Sequence, residues 1–159
     1  MKLSTTLLLA CLLLAAAAPC FAGRPSDDAI QNAWNTGPKL SPFQAVRWRD
    51  TTPDVRIDGV WYELTAINDL AAEQIVTFCQ SVDKKDWQKR FEEDLPAVLS
   101  LMGHEPGEKV QLTVTDLQSA EIKLLPDVAM TEDNRRSIFE VRRAARSLQS
   151  SATRPTTQP

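Results

Sequence analysis

The sequence predicts an α+β domain: a small, antiparallel-biased sheet of four to five strands covered by two or three helices. Three stretches carry that prediction. "VRIDGVWYELTAI" (residues 55–67) sets Asp58-Gly59 between two β-rich runs. "DWQKRFEEDLPAVLSLMG" (86–103) places its apolar residues at helical spacing. "VQLTVTDLQSAEIKLL" (110–125) goes back to alternation. Strand and helix periods mixed in one short chain, without regular β-α alternation, belong to this class.

The elements follow in chain order. Lys2 precedes the apolar run 7–18, Pro19 breaks the run, and "CFA" (20–22) presents small residues to a signal peptidase. The run falls short of the roughly 20 residues a membrane helix needs, so it reads as a secretory signal peptide cleaved near Ala22. The protein is therefore expected outside the cytoplasm, periplasmic or extracellular. Pro19 argues against lipidation of Cys20. Of three cysteines, Cys11 and Cys20 leave with the signal, and no intramolecular disulfide is then possible. Cys79 stands four residues after Ile75 and reads as a buried, small apolar residue.

Residues 23–44 hold Pro25, Pro38, Pro42 and Gly37 and read as an irregular leader to a core over 45–130. In 55–67 the Asp-Gly pair supplies the two positive-φ residues of a tight hairpin. Val60, Tyr62 and Leu64 alternate with Trp61, Glu63 and Thr65 along its second arm. "AAEQIVTFC" (71–79) reads as a short helix capped by Asn68 or Asp69. Over 83–102, Trp87, Phe91, Leu95, Val98, Leu99 and Met102 share one helical face. Asp83 caps its start, and Glu92, Glu93 and Asp94 fan out on the solvent side, with Lys89–Glu93 and Arg90–Asp94 as surface pairs. Pro96 requires a kink there or a second helix starting nearby. Gly103 supplies the stop. Val110, Leu112 and Val114 then form a half-buried strand, and Ile122 and Leu124 return after a turn at 118–120.

The end of the chain differs in charge. Residues 23–130 carry 18 acids against 11 bases, whereas 131–159 carry six arginines against three acids. An acidic body argues against a nucleic-acid partner. Residues 131–149 read as a basic amphipathic helix, with Thr131 as its cap and an apolar stripe of Ile138, Val141, Ala145 and Leu148. Arg135, Arg142, Arg143 and Arg146 are its candidate docking cations. Such a helix binds an anionic membrane surface or an acidic partner, or simply docks on its own acidic body. The last ten residues read as a disordered tail.

Chemistry is scarce. His104 is the only histidine. No Gly-x-Ser-x-Gly elbow, no phosphate-cradling glycine loop and no set of metal ligands at useful spacing occurs. No catalytic residue, metal site or cofactor is expected.

"YELTAINDLAAEQIVTF" (62–78) followed by "GEKVQLTVTDLQSAEIKLL" (107–125) resembles the second half of a PDZ-like module. Residues 43–136 also resemble the leader regions of secreted tail-specific (C-terminal-processing type) serine peptidases, without their catalytic domain. No glycine-rich carboxylate-binding loop precedes Val60, and the segment 83–102 would be an insertion. The resemblance implies a non-catalytic binding or accessory module for a peptide or protein. Strand addition would be the mechanism, with Trp61, Tyr62 and Leu64 as candidate contacts. Two alternatives are a regulatory leader acting with a separate peptidase, and an envelope-associated scaffold held by the basic helix.

Overall fold

The computed structural model describes residues 24–152. The expected signal peptide and the last residues of the expected tail lie outside them. The chain runs α1 (Asp27–Thr36), β1 (Ala45–Arg49), β2 (Thr52–Ile57), β3 (Val60–Ile67), β4 (Leu70–Ala71), α2 (Ala72–Val82), α3 (Trp87–Glu93), α4 (Leu95–Leu101), β5 (Lys109–Asp116), β6 (Ile122–Ala129) and α5 (Glu132–Ala152). This is the α+β class the sequence predicts.

The strands form one antiparallel sheet in the order β1-β2-β3-β5-β6, with the two-residue β4 paired to β3. The hairpin turn is as expected: Asp58 and Gly59 take φ +47° and +81°, which suits the twist of the flanking strands. By alternation Val55, Tyr62, Leu64, Leu112 and Val114 face the helices, while Trp61, Glu63, Thr113 and Thr115 face away. The two ends of the sheet meet at a single bridge. The Ser41 N–H donates to the Thr131 carbonyl (3.1 Å), and the Thr131 N–H donates back (3.0 Å).

Every helix packs on the same side and contributes to one core. Ile30 and Trp34 of α1 join Ile75 and Cys79 of α2, Phe91 of α3, Leu95, Val98 and Leu99 of α4, and Ile138 of α5. Phe43 and Phe91 stack 6.0 Å apart, and Trp48 meets Phe91 and Trp87 edge-on at 5.2 and 4.7 Å. Burying an aromatic or branched aliphatic side chain contributes about 1.5–3 kcal/mol, so this cluster dominates stability.

Several expectations need correction. Residues 27–36 are a helix and not an irregular leader. Ser26 Oγ accepts the Ala29 N–H (3.3 Å), Asp27 and Asp28 occupy the first turn, and Ile30 and Trp34 are 3% and 6% exposed. The core therefore reaches back to Ile30 and forward to Ile138, beyond the expected 45–130. Gly37 ends α1 where a β-carbon would stand 2.9 Å from that of Ala97 and 2.6 Å from the Ala33 carbonyl oxygen, so α1 and α4 approach closely there.

The cap of α2 is not Asn68 or Asp69. Gln74 Oε1 accepts the Ala71 N–H (3.2 Å), and Asn68 Oδ1 instead accepts the Gln111 N–H (2.9 Å), tying the β3–β4 turn to β5. The segment 83–102 does not start its helix on Asp83, whereas the second helix expected near Pro96 is present. Asp83 ends α2, accepts from the Asp86 N–H (3.0 Å) and holds Arg90 Nε (2.9 Å). The helix then breaks at Asp94, and α4 starts anew with Pro96 in its first turn, where a missing N–H costs nothing. Gly103, at φ +85°, closes α4 as expected: its N–H donates to the Ser100 carbonyl, and that of His104 donates to Leu99.

The last helix starts on its expected cap, with the Asn134 N–H donating to Thr131 Oγ1 (3.1 Å). It runs on to Ala152, into the expected tail. Its buried face is not the expected apolar stripe. Ile138 is 3% exposed, but Val141 is 58% exposed and Ala145 is also open. Arg135, Ile138 and Arg142, at spacings of three and four, form the face that meets the body.

Candidate functional site

Three consecutive acids, Glu92, Glu93 and Asp94, are buried at 7%, 1% and 1% exposure. The expectation of a solvated face is therefore overturned. Successive helical side chains diverge by about 100°, and the three acids reach different partners, with α5 shared by Glu92 and Glu93. Glu92 accepts from Trp48 Nε1 of β1 (2.6 Å) and from Arg142 of α5. Glu93 accepts from Arg135 (3.2 Å), and Arg142 Nε lies 3.1 Å from its second oxygen. Asp94 accepts from Lys39 Nζ (2.6 Å) and Arg90 (2.8 Å). Lys89 does not pair with Glu93 as the spacing suggested, whereas the Arg90–Asp94 pair does form. Burial pushes the Glu92 carboxyl above its ordinary range, and the hydrogen bonds from Trp48 and Arg142 only partly offset it. A raised carboxylate is the mark of a general acid when it faces a cleft. Glu92 instead lies sealed under Trp48 and Arg142, and the trio works as a clamp between α3, α5, β1 and the segment after α1.

This clamp accounts for two of the four candidate docking cations. Arg135 and Arg142 turn inward to Glu93 and Glu92, and only Arg143 and Arg146 face solvent. The basic helix docks on its own acidic body.

The candidate peptide contacts on β3 are also dispersed. Leu64 is 2% exposed and belongs to the core. Tyr62 packs against the core from a half-buried position, with Lys123 Nζ 6.0 Å from its ring centre. Trp61 faces outward under the Arg47 guanidinium, 4.5 Å from the ring centre. Above all, β3 pairs with β2 on one side and β5 on the other, so its backbone offers no free edge for strand addition. His104 is an exposed residue just past the α4 stop. Cys79 is buried, and burial pushes its thiol up to about 12, which leaves it inert.

The free edge lies at β6. Among the described residues it pairs with β5 alone. The Asp116 N–H donates to the Glu121 carbonyl (2.9 Å), which makes 116 and 121 a hydrogen-bonded pair. Such pairs alternate along an antiparallel ladder. In the register Thr115↔Ile122, Thr113↔Leu124, the N–H and C=O groups of Ile122 and Leu124 therefore point away from β5. Their side chains are the open ones too, 76% and 56% exposed on the outer face. Farther along, Pro126 and Asp127, the latter at φ +57°, bulge the strand between Val110↔Val128 and Leu112↔Leu125. There a cleft of about 500 Å³ opens between β6 (Leu125–Ala129), the hairpin tip (Ile57, Asp58) and Pro42 and Gln44. The Ser41–Thr131 bridge closes the far end of the gap.

Sequence reasoning found the β6 strand but not its edge position, because alternation alone does not give strand order. No helix of the described residues is long and apolar enough to cross a membrane, and no group of metal-ligating side chains gathers among them. The chain matches no family model, no curated protein and no solved structure.

Proposed function

We propose that this chain is an exported, non-catalytic binding module that takes an extended segment of a partner protein by strand addition to β6. The observation that carries this reading is the coincidence at Ile122 and Leu124 of free backbone groups and exposed apolar side chains. A partner strand gains main-chain hydrogen bonds from the first and cross-strand apolar contacts from the second. The adjacent cleft, with Leu125, Val128 and Ile57 among its walls, would receive the partner's next side chain.

Binding to a peptide array, compared between the native chain and an Ile122→Lys, Leu124→Lys double variant, tests the proposal. The expected result is a set of peptides bound only by the native chain, with affinity lost when alternate peptide nitrogens are N-methylated. Binding that survives in the folded double variant, or that ignores N-methylation, would overturn it. Concentration-dependent dimerisation abolished by the same double variant would replace the foreign peptide with a second copy of β6.

A further inference from the structure

A cleft of about 300 Å³ lies between the start of α3 and the outer part of α5, lined by Lys85, Asp86, Gln88, Lys89, Arg142, Ala145 and Arg146. Its charge is unusual for this molecule. Many cations elsewhere are paired with carboxylates: Lys39 and Arg90 at Asp94, Arg47 and Arg49 at Asp54, Lys123 at Asp116. Lys85, Lys89 and Arg146 reach no carboxylate among the described residues, although the body around them is acidic. The acids nearest in sequence are engaged elsewhere: Asp83 holds Arg90, and Glu92 and Glu93, three and four residues after Lys89, hold Arg142 and Arg135. Asp86 is the only acid in the lining. Arg142, behind them, is already engaged by Glu92.

Cations gathered around one concavity repel one another, and an anion that meets several of them relieves that repulsion. The donors come from α3 with the turn that precedes it and from α5, so they surround the cleft from two sides. The lysine ammoniums and the Arg146 guanidinium offer multiple N–H groups, the Gln88 amide adds two, and Ala145 leaves space between Arg142 and Arg146. Many donors around a small volume suit a group with several oxygens and more than one charge. We propose that this cleft binds a phosphate-type anion, either free or carried on a phospholipid headgroup. The site is independent of the β6 edge. It reassigns the basic character of α5: the arginines facing the body hold the helix, and Arg146 joins two lysines of the 83–89 segment in a separate anion site.

Calorimetric titration of the full chain with inorganic phosphate, and co-sedimentation with phosphatidylglycerol vesicles against phosphatidylcholine vesicles, test this. The expected result is saturable binding to phosphate, to the anionic vesicles, or to both. Each of Lys85→Ala, Lys89→Ala and Arg146→Ala should weaken it by roughly tenfold, the scale of one charge-assisted hydrogen bond. Lys109→Ala, which removes another cation without an ion pair, should leave it unchanged. Phosphate binding assigns the free anion as a ligand, and binding to anionic vesicles alone assigns the headgroup. Absence of both, or binding that persists in the folded triple variant, overturns the proposal. So does a loss equally large in Lys109→Ala, because it would mean general surface attraction.

Discussion

The two edges of the sheet are treated differently. At β1 the exposed face carries Arg47 and Arg49, both drawn to Asp54, which is 1% exposed. On the other face Trp48 is bonded to Glu92, and α5 lies against the strand. Charge and a covering helix are two standard ways to keep an edge from pairing with another chain. At β6 those devices are confined to one end. Pro126 and the positive-φ Asp127 spoil the strand beyond Leu125, while Ile122 and Leu124 on the outer face stay apolar and open. One edge is thus blunted by charge and a helix, and the other keeps a bounded gap, which is the gap the strand-addition proposal uses.

The comparison can be broken at the β1 side, where the largest effect is expected. Glu93→Ala leaves Arg135 and Arg142 facing a hole in a water-poor clamp and should cost about 3 kcal/mol in urea unfolding, the scale of a broken buried ion pair. A loss below about 1 kcal/mol would mean that α5 is not clamped by charge.

Asp54→Asn should cost less, because its arginine partners are half exposed, and its effect depends on pH. Burial lifts the Asp54 pKa, but hydrogen bonds from Arg49 and Arg47 more than reverse this, so the folded value lies below 3.8. Its stabilising contribution is present above that ordinary value and is lost as pH falls through the folded one. Glu92 runs the other way. Its folded value lies above 4.5, so its charge costs stability near neutrality, and that cost is relieved as pH falls through the folded value. Unfolding followed from about pH 7 to about pH 3 should therefore fall off less steeply for Asp54→Asn than for the native chain. If the two profiles are parallel, Asp54 is not the group responsible.

At the β6 side, Leu124→Lys should change stability by no more than about 0.5 kcal/mol, as for an exposed site that packs on nothing. A cost comparable to that of Glu93→Ala would show that the outer face is covered and end the contrast between the edges. The smallest effect belongs to the hairpin that starts β6. Lys123 Nζ lies 2.6 Å from Asp116. That hydrogen bond, followed by those from the Gln118 and Ser119 N–H groups, holds the Asp116 carboxyl down at about 2. In Lys123→Met the carboxyl should titrate closer to 3.8 by NMR, with the global fold unchanged. An Asp116 that still titrates near 2 would assign the shift to the turn amides alone.

Much of this fold could be read from the sequence where pattern and turn chemistry coincide. Asp58-Gly59, the alternation through Val110–Val114, the Gly103 stop and the Thr131 cap all act within a few residues, and all appear as read. The errors arose where the deciding partner lies far along the chain. Glu92, Glu93 and Asp94 have the composition of a solvated helix face. Only Trp48, Lys39, Arg135 and Arg142, brought in from three other elements, make their burial tolerable. The stripe of α5 was misplaced for the same reason: arginines were counted as solvent-facing, although two of them form the docking face with Ile138. The α1 helix is also local in origin: Ser26, Asp27, Asp28, Ile30 and Trp34 supply a cap, first-turn acids and a buried pair at helical spacing, a signal set among prolines that by themselves read as irregular. The β6 edge was not readable at all, since strand order is a property of the assembled sheet.

The bridge between Ser41 and Thr131 carries a consequence for the timing of folding. The local hairpins β2–β3 and β5–β6 form from neighbours, but this pair of hydrogen bonds joins the residue that leads into the first strand to the one that leads out of the last. Closing so long a loop is slow compared with forming a hairpin. A chain emerging from one end holds Ser41 unsatisfied until Thr131 has appeared, so the gap beside β6 takes its final shape last. The surface proposed to receive a partner strand is then the last part of the sheet to be completed.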